Sequence, residues 1–164
     1  MPKEYESYYK TVFENLPFLA FVLDRKGNVI NSNKFAQKTL GITENETNGK
    51  HFSKTVKITN KKHLLRAFVE FRKNINGKVT DKSIYDIVTP DGKQHTVELV
   101  GIPLMRDGKV EIVLDVGEEI TERLATENGL KKKMEELEAF KQMSIGRELK
   151  MIELKKKIKL LEKR

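Results

Sequence analysis

The sequence contains no cysteine and no tryptophan, and only 4 of its 164 residues are proline. Without cysteine the chain can form no disulfide, and it has no thiolate for a metal site, a covalent flavin adduct or nucleophilic catalysis. Its apolar runs are all far shorter than the roughly 18 to 20 residues that cross a bilayer, and no signal-like segment opens it. We therefore expect a cytoplasmic protein with no membrane partner.

The positive charge of the chain is concentrated towards its C-terminus. The formal net charge is +8, and residues 131–164 hold 12 Lys and Arg against 6 Asp and Glu, whereas the first 130 residues are nearly balanced. Because acidic residues are interleaved with the basic ones in this tail, a solvated helical surface explains the charge better than a nucleic-acid groove. We expect no nucleic-acid partner, and a basic coiled coil that docks on nucleic acid or acidic partners is kept as an alternative.

The beginning of the chain predicts a helix followed by a β-hairpin. Apolar residues at helical spacing run as far as Leu16, and Pro17 should end that helix. Two short apolar runs then flank residues 24–28, whose Gly-containing sequence is typical of a hairpin connection. Asn33 and Gly41 are placed to cap the two ends of a short helix between them.

The following residues predict short helices and then a series of strands. The strongest helical signal lies at 60–74, where one apolar stripe is formed by Leu64, Phe68, Phe71 and Ile75. Three strands separated by Asp-Gly turns follow at 79–89, 95–105 and 110–116. This order of elements predicts an α+β fold in which the helices pack on one side of an antiparallel sheet.

Several short motifs, taken in their order and spacing, resemble a PAS domain over about residues 5–125. They are Phe13-Glu14-Asn15-Leu16-Pro17, the hairpin turn with Val29-Ile30-Asn31-Ser32-Asn33, Thr89-Pro90-Asp91-Gly92-Lys93, and Glu119-Ile120-Thr121-Glu122-Arg123 after the last strand. The family usually has Asp at the position of Glu119, so this chain keeps the carboxylate and lengthens its reach.

The resemblance implies a PAS fold, with a five-stranded antiparallel sheet of strand order 2-1-5-4-3 and helices on one face. It divides the chain into an N-terminal flanking helix (1–17), the PAS domain (18–120) and a C-terminal coiled-coil signalling helix (121–164). It further implies a non-enzymatic sensor or protein-interaction module of a prokaryotic signal-transduction protein, which dimerises through its terminal helices. The signal-coupling residues implied by the family are Glu119, Ile120, Thr121 and Arg123.

The C-terminal segment has the spacing of a coiled coil. It contains no proline after Thr121, and a mostly apolar seam recurs every three or four positions with one irregularity, with the polar residues Ser144 and Arg147 in its middle. The predicted dimerisation residues are Leu130, Met134, Leu137, Phe140, Met151, Leu154, Ile158 and Leu161. Asn128-Gly129 is a local breaker pair, which leaves open a kink or a break there. Since a lone helix of this length gains little from propensity, a second copy of the chain is the expected partner.

Residues 140–149 also resemble the phosphoacceptor helix of sensor histidine kinases. That family has its phosphorylated His at the position of Arg147, and a guanidinium stays protonated and cannot act as the nucleophile. The sequence also has no Gly-rich phosphate loop. We therefore expect no kinase, no phosphoacceptor and no catalytic residue, and a signalling partner or a missing output domain would receive the signal.

A group of mostly aromatic residues has two possible roles, lining a ligand cavity or filling the core. These candidate pocket residues are Phe21, Phe35, Phe52, His63, Phe68 and Phe71. Haem-sensing PAS domains use a His on their long helix as the iron ligand, which makes a haem or other small-molecule receptor using His63 the alternative function. The plainer interpretation is a surface His, and we expect no cofactor. His51 and His95 have no second ligand at metal spacing, so no metal site is expected.

Overall fold

The computed structural model describes the backbone of residues 3–162 and, within that range, all side chains except those of residues 3–6 and 160. The ends of the predicted segments 1–17 and 121–164 therefore lie partly outside the described residues. The elements follow one another as α1 (Lys3–Asn15), β1 (Leu19–Asp24), β2 (Val29–Ser32), α2 (Lys34–Leu40), α3 (Glu44–Thr47), α4 (Phe52–Thr55), β3 (Lys57–Ile58), α5 (Lys61–Ile75), β4 (Ser83–Val88), β5 (Gln94–Arg106), β6 (Lys109–Glu119) and α6 (Thr121–Leu161).

The strands form one antiparallel sheet in the order β2-β1-β6-β5-β4-β3. Without β3 this is the expected order 2-1-5-4-3, so the predicted PAS topology is confirmed. The predicted number of five strands was wrong, because the two residues of β3 pair with Ile87 and Val88 at the edge of β4. A strand of two residues is too short to show any alternation in the sequence.

Local signals place the ends of several elements where the sequence predicted them. The Asn33 side chain accepts a hydrogen bond from the backbone N–H of Ala36 and so caps α2 at its start. Gly41 ends the same helix at φ 60°, a left-handed conformation that glycine adopts without strain. The first helix stops at Asn15, two residues before Pro17.

The two faces of the sheet are covered by different helices. Leu19 of β1 faces the helical layer and packs with Ala36 and Leu40 of α2. Its neighbour Ala20 points the other way and packs with Phe13 of α1, because successive strand residues alternate between faces. The layer that contains α2 and α5 therefore encloses the inner face, and α1 covers part of the outer one.

The last helix runs without interruption from Thr121 to Leu161, so the Asn128-Gly129 pair does not break it. Its 41 residues correspond to a length of about 60 Å. The chain divides into two compact units, 1–121 and 122–164. Among the helices of the described residues, none combines the length and the apolar character needed to cross a membrane.

Candidate functional site

A cavity of about 110 Å³ lies between the inner face of the sheet and the helical layer of the first unit. Its wall is mostly apolar: β1 contributes Leu19, Phe21 and Leu23, and α5 contributes Ala67 and Phe71. Pockets for drug-sized molecules have volumes of about 300 to 1,000 Å³. This cavity is therefore large enough only for a small ligand or for a few water molecules.

Three of the six candidate pocket residues line the cavity, namely Phe21, Phe52 and Phe71. The other three, Phe35, His63 and Phe68, are not part of its wall. Phe68 is 43% exposed and instead contacts the rings of His51 and Phe52, with ring centroids 5.7 and 5.2 Å away. Phe35 is also partly exposed, at 38%.

The face that α5 turns to the cavity differs from the apolar stripe expected from the sequence. The residues of α5 in the cavity wall are Ala67, Glu70, Phe71 and Asn74. Of these four residues, only Phe71 belongs to the predicted stripe. The stripe was chosen from large apolar residues, whereas Glu70 and Asn74 are polar and Ala67 is small. The packing of α5 against the sheet sets its rotation, and this packing brings Glu70 and Asn74 to the inner side.

Asn74 and Thr80 tie the end of α5 to the middle of β5. The Asn74 side-chain amide donates hydrogen bonds to the backbone carbonyls of Lys78 at 2.9 Å and Gly101 at 2.8 Å. Thr80 Oγ1 accepts a hydrogen bond of 3.0 Å from the backbone N–H of Gly101. Both side chains are buried and face the cavity, so they form a rigid polar corner in its wall.

Asp115 lies in β6 with its side chain in the cavity wall, opposite Phe21 of β1 and Gly101 of β5. Within residues 3–162 its carboxylate forms no hydrogen bond and no ion pair. Burial raises the pKa of Asp115 from its ordinary value of 3.8 to about 7. The sequence motifs did not single out Asp115, although it lies within the strand-like segment 110–116, two residues after buried Val113 and so on the same face of the strand.

Two other acidic groups in the cavity wall have different surroundings. Glu70 forms an ion pair of 2.9 Å with Lys73, one turn further along α5. Burial raises the pKa of the Tyr85 hydroxyl, and the nearby carboxylate of Asp115 acts in the same direction. Both groups belong to the same wall as Asp115, and neither brings a positive charge to it.

His63 does not have the surroundings of a haem ligand. Its Nδ1 accepts a hydrogen bond of 3.2 Å from the backbone N–H of Asp86 and lies 3.5 Å from the carboxylate of the same residue. The His63 ring is thus engaged with Asp86 and does not belong to the cavity wall. A porphyrin is also much larger than the cavity, so the residues present do not fit a haem. Among the described residues, no three His, Asp or Glu side chains are grouped to hold a metal ion.

The residues after β6 form a compact junction at the start of α6. Ile120 is buried, and its N–H donates a hydrogen bond of 2.8 Å to the carbonyl of Thr96 in β5. Thr121 Oγ1 accepts a hydrogen bond of 2.8 Å from the N–H of Thr96 and donates one to Glu119 Oε1. His95 Nδ1 lies 3.5 Å from the same carboxylate oxygen, and its Nε2 is buried without a hydrogen bond in the part of the chain that the structure describes.

Arg123, the fourth predicted coupling residue, belongs to the second unit. Its Nε lies 3.9 Å from Glu127 Oε1, one turn further along α6. The three coupling residues of the first unit are thus brought together around Thr96, while Arg123 interacts along its own helix.

The eight predicted dimerisation residues of α6 are between 49% and 70% exposed in the single chain. Four more apolar side chains of the same helix are exposed as well, namely Met143, Ile145, Leu149 and Ile152. A helix with so much apolar surface leaves a large area for another helix to cover.

The PAS fold family model matches residues 7–114. Solved structures with the same fold include the PAS domain of an HTR-like protein from Haloarcula marismortui, with 21% identity and a TM-score of 0.57, covering 72% of this chain and 93% of that one. The PAS domain of BvgS from Bordetella pertussis has 20% identity and a TM-score of 0.55, covering 80% and 98%. The LOV protein of Rhodobacter sphaeroides has 13% identity and a TM-score of 0.61, covering 74% and 69%.

At these identities the structural likeness shows the fold alone. No curated protein matches the sequence.

Proposed function

This chain belongs to the PAS family, whose fold model matches residues 7–114, and from that premise we propose that it is a non-enzymatic sensory module that dimerises through α6. The family consists of sensory modules of signal-transduction proteins, and the similar solved structures come from prokaryotic sensors. In this proposal the output is a change in the pairing of two α6 helices, which a signalling partner or an output domain receives. Neither nucleic acid, a membrane nor a haem is part of it.

The observation that carries the proposal is the junction between the sheet and the first residue of α6. Thr96 both accepts a hydrogen bond from Ile120 and donates one to Thr121, so the start of the helix is held by β5 on two sides. A displacement of β5 would therefore move the first turn of α6. β5 also forms part of the cavity wall. A ligand that binds in the cavity and displaces β5 would therefore act on the start of the helix through the hydrogen bonds of Thr96.

The dimerisation part of the proposal is supported by the exposed apolar seam of α6. Complete burial of a side chain such as Leu137 or Leu154 stabilises a complex by about 1.5 to 3 kcal/mol of free energy. The seam has eight exposed apolar residues of this kind. They recur every three or four residues, as in two-stranded coiled coils, except between Phe140 and Met151, where the seam positions are Ser144 and Arg147. Two copies of the chain would cover both seams at once.

Sedimentation equilibrium on the full chain tests this association. We expect a dimer in the micromolar range and at least a 100-fold weaker dimer for Leu154→Glu, because the variant places a carboxylate in the seam. The matched control is Gln142→Glu, which adds the same charge at an exposed position outside the seam and should leave the dimer unchanged. A monomeric full chain at high concentration, or a Leu154→Glu dimer as strong as the control, would overturn the proposal.

A further inference from the structure

The ionisable side chains in the cavity wall are all acids. They are Glu70, Tyr85 and Asp115, and the wall contains no Lys, Arg or His among the described residues. Glu70 is compensated by Lys73, and Tyr85 is a phenol that is neutral near pH 7, with a pKa that burial raises further. The carboxylate of Asp115 is therefore the group in this wall whose charge no protein cation balances.

The neighbours of Asp115 also leave its hydrogen-bonding capacity unused. On one side lies Gly101, which has no side chain, and on the other lies the ring of Phe21. The Asn74 amide belongs to the same cavity wall, but its N–H groups are already engaged by the carbonyls of Lys78 and Gly101. A carboxylate in this largely apolar wall is costly when no group donates a hydrogen bond to it, and a ligand with N–H groups would remove that cost.

The rest of the cavity defines the size and the character of such a ligand. Its volume of about 110 Å³ is somewhat below that of an engineered cavity of about 150 Å³ that binds benzene. A ligand of roughly five to seven non-hydrogen atoms fits this space. The apolar part of the wall, which includes Leu23, Phe52 and Phe71, suits a compact hydrocarbon body.

We propose that this cavity binds a small organic ammonium ion, with its nitrogen against the Asp115 carboxylate and its hydrocarbon body among the aromatic and aliphatic walls. The inference rests on the proposed sensory function, since the ligand would be the input that β5 and the junction pass on. The raised pKa of Asp115 supports it: a bound cation stabilises the ionised form, so binding near pH 7 should release a proton from this carboxyl.

Isothermal titration calorimetry on the full chain, with two probes of one shape, tests the inference. Cyclopentylamine is an ammonium ion at pH 7, and cyclopentanol is its neutral counterpart. We expect the amine to bind the unchanged chain at least 10-fold more tightly than it binds Asp115→Asn, while the alcohol binds both equally or prefers the variant. The control Asp81→Asn removes an exposed carboxylate outside the cavity and should bind the amine like the unchanged chain.

A second measurement needs no variant. Titrations at pH 7 in two buffers of different ionisation enthalpy should show proton release with the amine and none with the alcohol. Equal binding of the two probes without proton release, or no binding of either, would overturn the inference. These outcomes would leave the α6 dimer and its Leu154→Glu test untouched, whereas a chain that binds the amine but stays monomeric would overturn the proposed function and not the ligand.

Discussion

The side-chain amide of Asn74 donates a hydrogen bond of 2.8 Å to the carbonyl oxygen of Gly101, which joins the end of α5 to the centre of β5. The two residues are packed so closely that a Cβ atom at position 101 would collide with the Asn74 amide. Glycine is therefore required at this position by the close approach of a neighbouring side chain. The same contact shapes the polar corner of the cavity.

Replacing Gly101 by alanine should lower the free energy of unfolding by about 1 to 3 kcal/mol, because Asn74 must move and its hydrogen bonds weaken. Urea denaturation followed by circular dichroism measures the change. Gly129→Ala is the control, since among the described residues the added methyl group would meet nothing within 4 Å beyond its own stretch of helix backbone, and alanine favours helix. Equal midpoints for Gly101→Ala and the unchanged chain would show that the contact is not tight.

Asn33 is completely buried and connects three parts of the fold through four hydrogen bonds. Its Oδ1 accepts from the N–H groups of Ala20 and Ala36, and its Nδ2 donates to the carbonyls of Leu16 and Phe18. We expect Asn33→Ala to cost about 3 kcal/mol of unfolding free energy, because several buried backbone groups lose their partner.

The control for Asn33 is Asn60→Ala, which removes the cap of α5 at an exposed position. Loss of an ordinary cap costs about 1 kcal/mol. If urea denaturation gave the two variants the same stability, the role of Asn33 beyond capping would be refuted.

Asp115 should make the stability of the first unit depend on pH. Its pKa is about 7 in the folded state and near 3.8 in the unfolded state, so between these values the folded state binds more protons. The free energy of unfolding therefore falls as the pH rises from about 4 to 7, by as much as about 4 kcal/mol, and the contribution is constant above that range.

Asp115→Asn keeps the shape of the side chain and removes the titration. We expect this variant to be more stable than the unchanged chain at pH 8 and to lose that advantage towards pH 4. Thermal unfolding at a series of pH values measures the difference in stability between the two proteins. Because both contain all the other carboxyl groups, the contributions of those groups to the difference cancel. Parallel curves for the two proteins would contradict the raised pKa.

Thr121 should protect the backbone N–H of Thr96 from exchange with solvent. Thr121→Val keeps the shape but removes the oxygen that accepts this hydrogen bond, which should speed hydrogen exchange at Thr96 by about 10-fold. Thr126→Val is the control, because Thr126 Oγ1 donates its hydrogen bond to the carbonyl of Glu122 within α6 and not to the sheet. Unchanged exchange at Thr96 in Thr121→Val would mean that this hydrogen bond does not hold the junction together.

Features that depend on neighbours in the chain could be predicted from the sequence. Asn33 accepts a hydrogen bond from a backbone N–H three residues further along, and Gly41 ends the helix in a left-handed conformation. The turn at 24–28 connects two adjacent strands. Pro17 acts on the residues directly before it. The order of such elements is enough to distinguish an antiparallel α+β fold from an alternating parallel one, and the family motifs then give the strand order.

The candidate site depended on contacts between distant residues. Phe68 was expected in the cavity because it is apolar, yet the wall contains Glu70 and Asn74, and only the packing of α5 on the sheet decides between these faces. The two residues of β3 form a strand because β4 lies beside them, and no local sequence pattern predicts this strand.

The sequence by itself determined the end of α1, the hairpin turn at 24–28 and both caps of α2, since capping, turn formation and helical spacing act over a few residues. Only the tertiary structure decided that Asp115 lies in a largely apolar cavity wall without a partner among the described residues and that Thr96 holds the start of α6. Burial and pairing of a polar group depend on which distant segments surround it, and that environment exists only after the sheet and its helices have packed together.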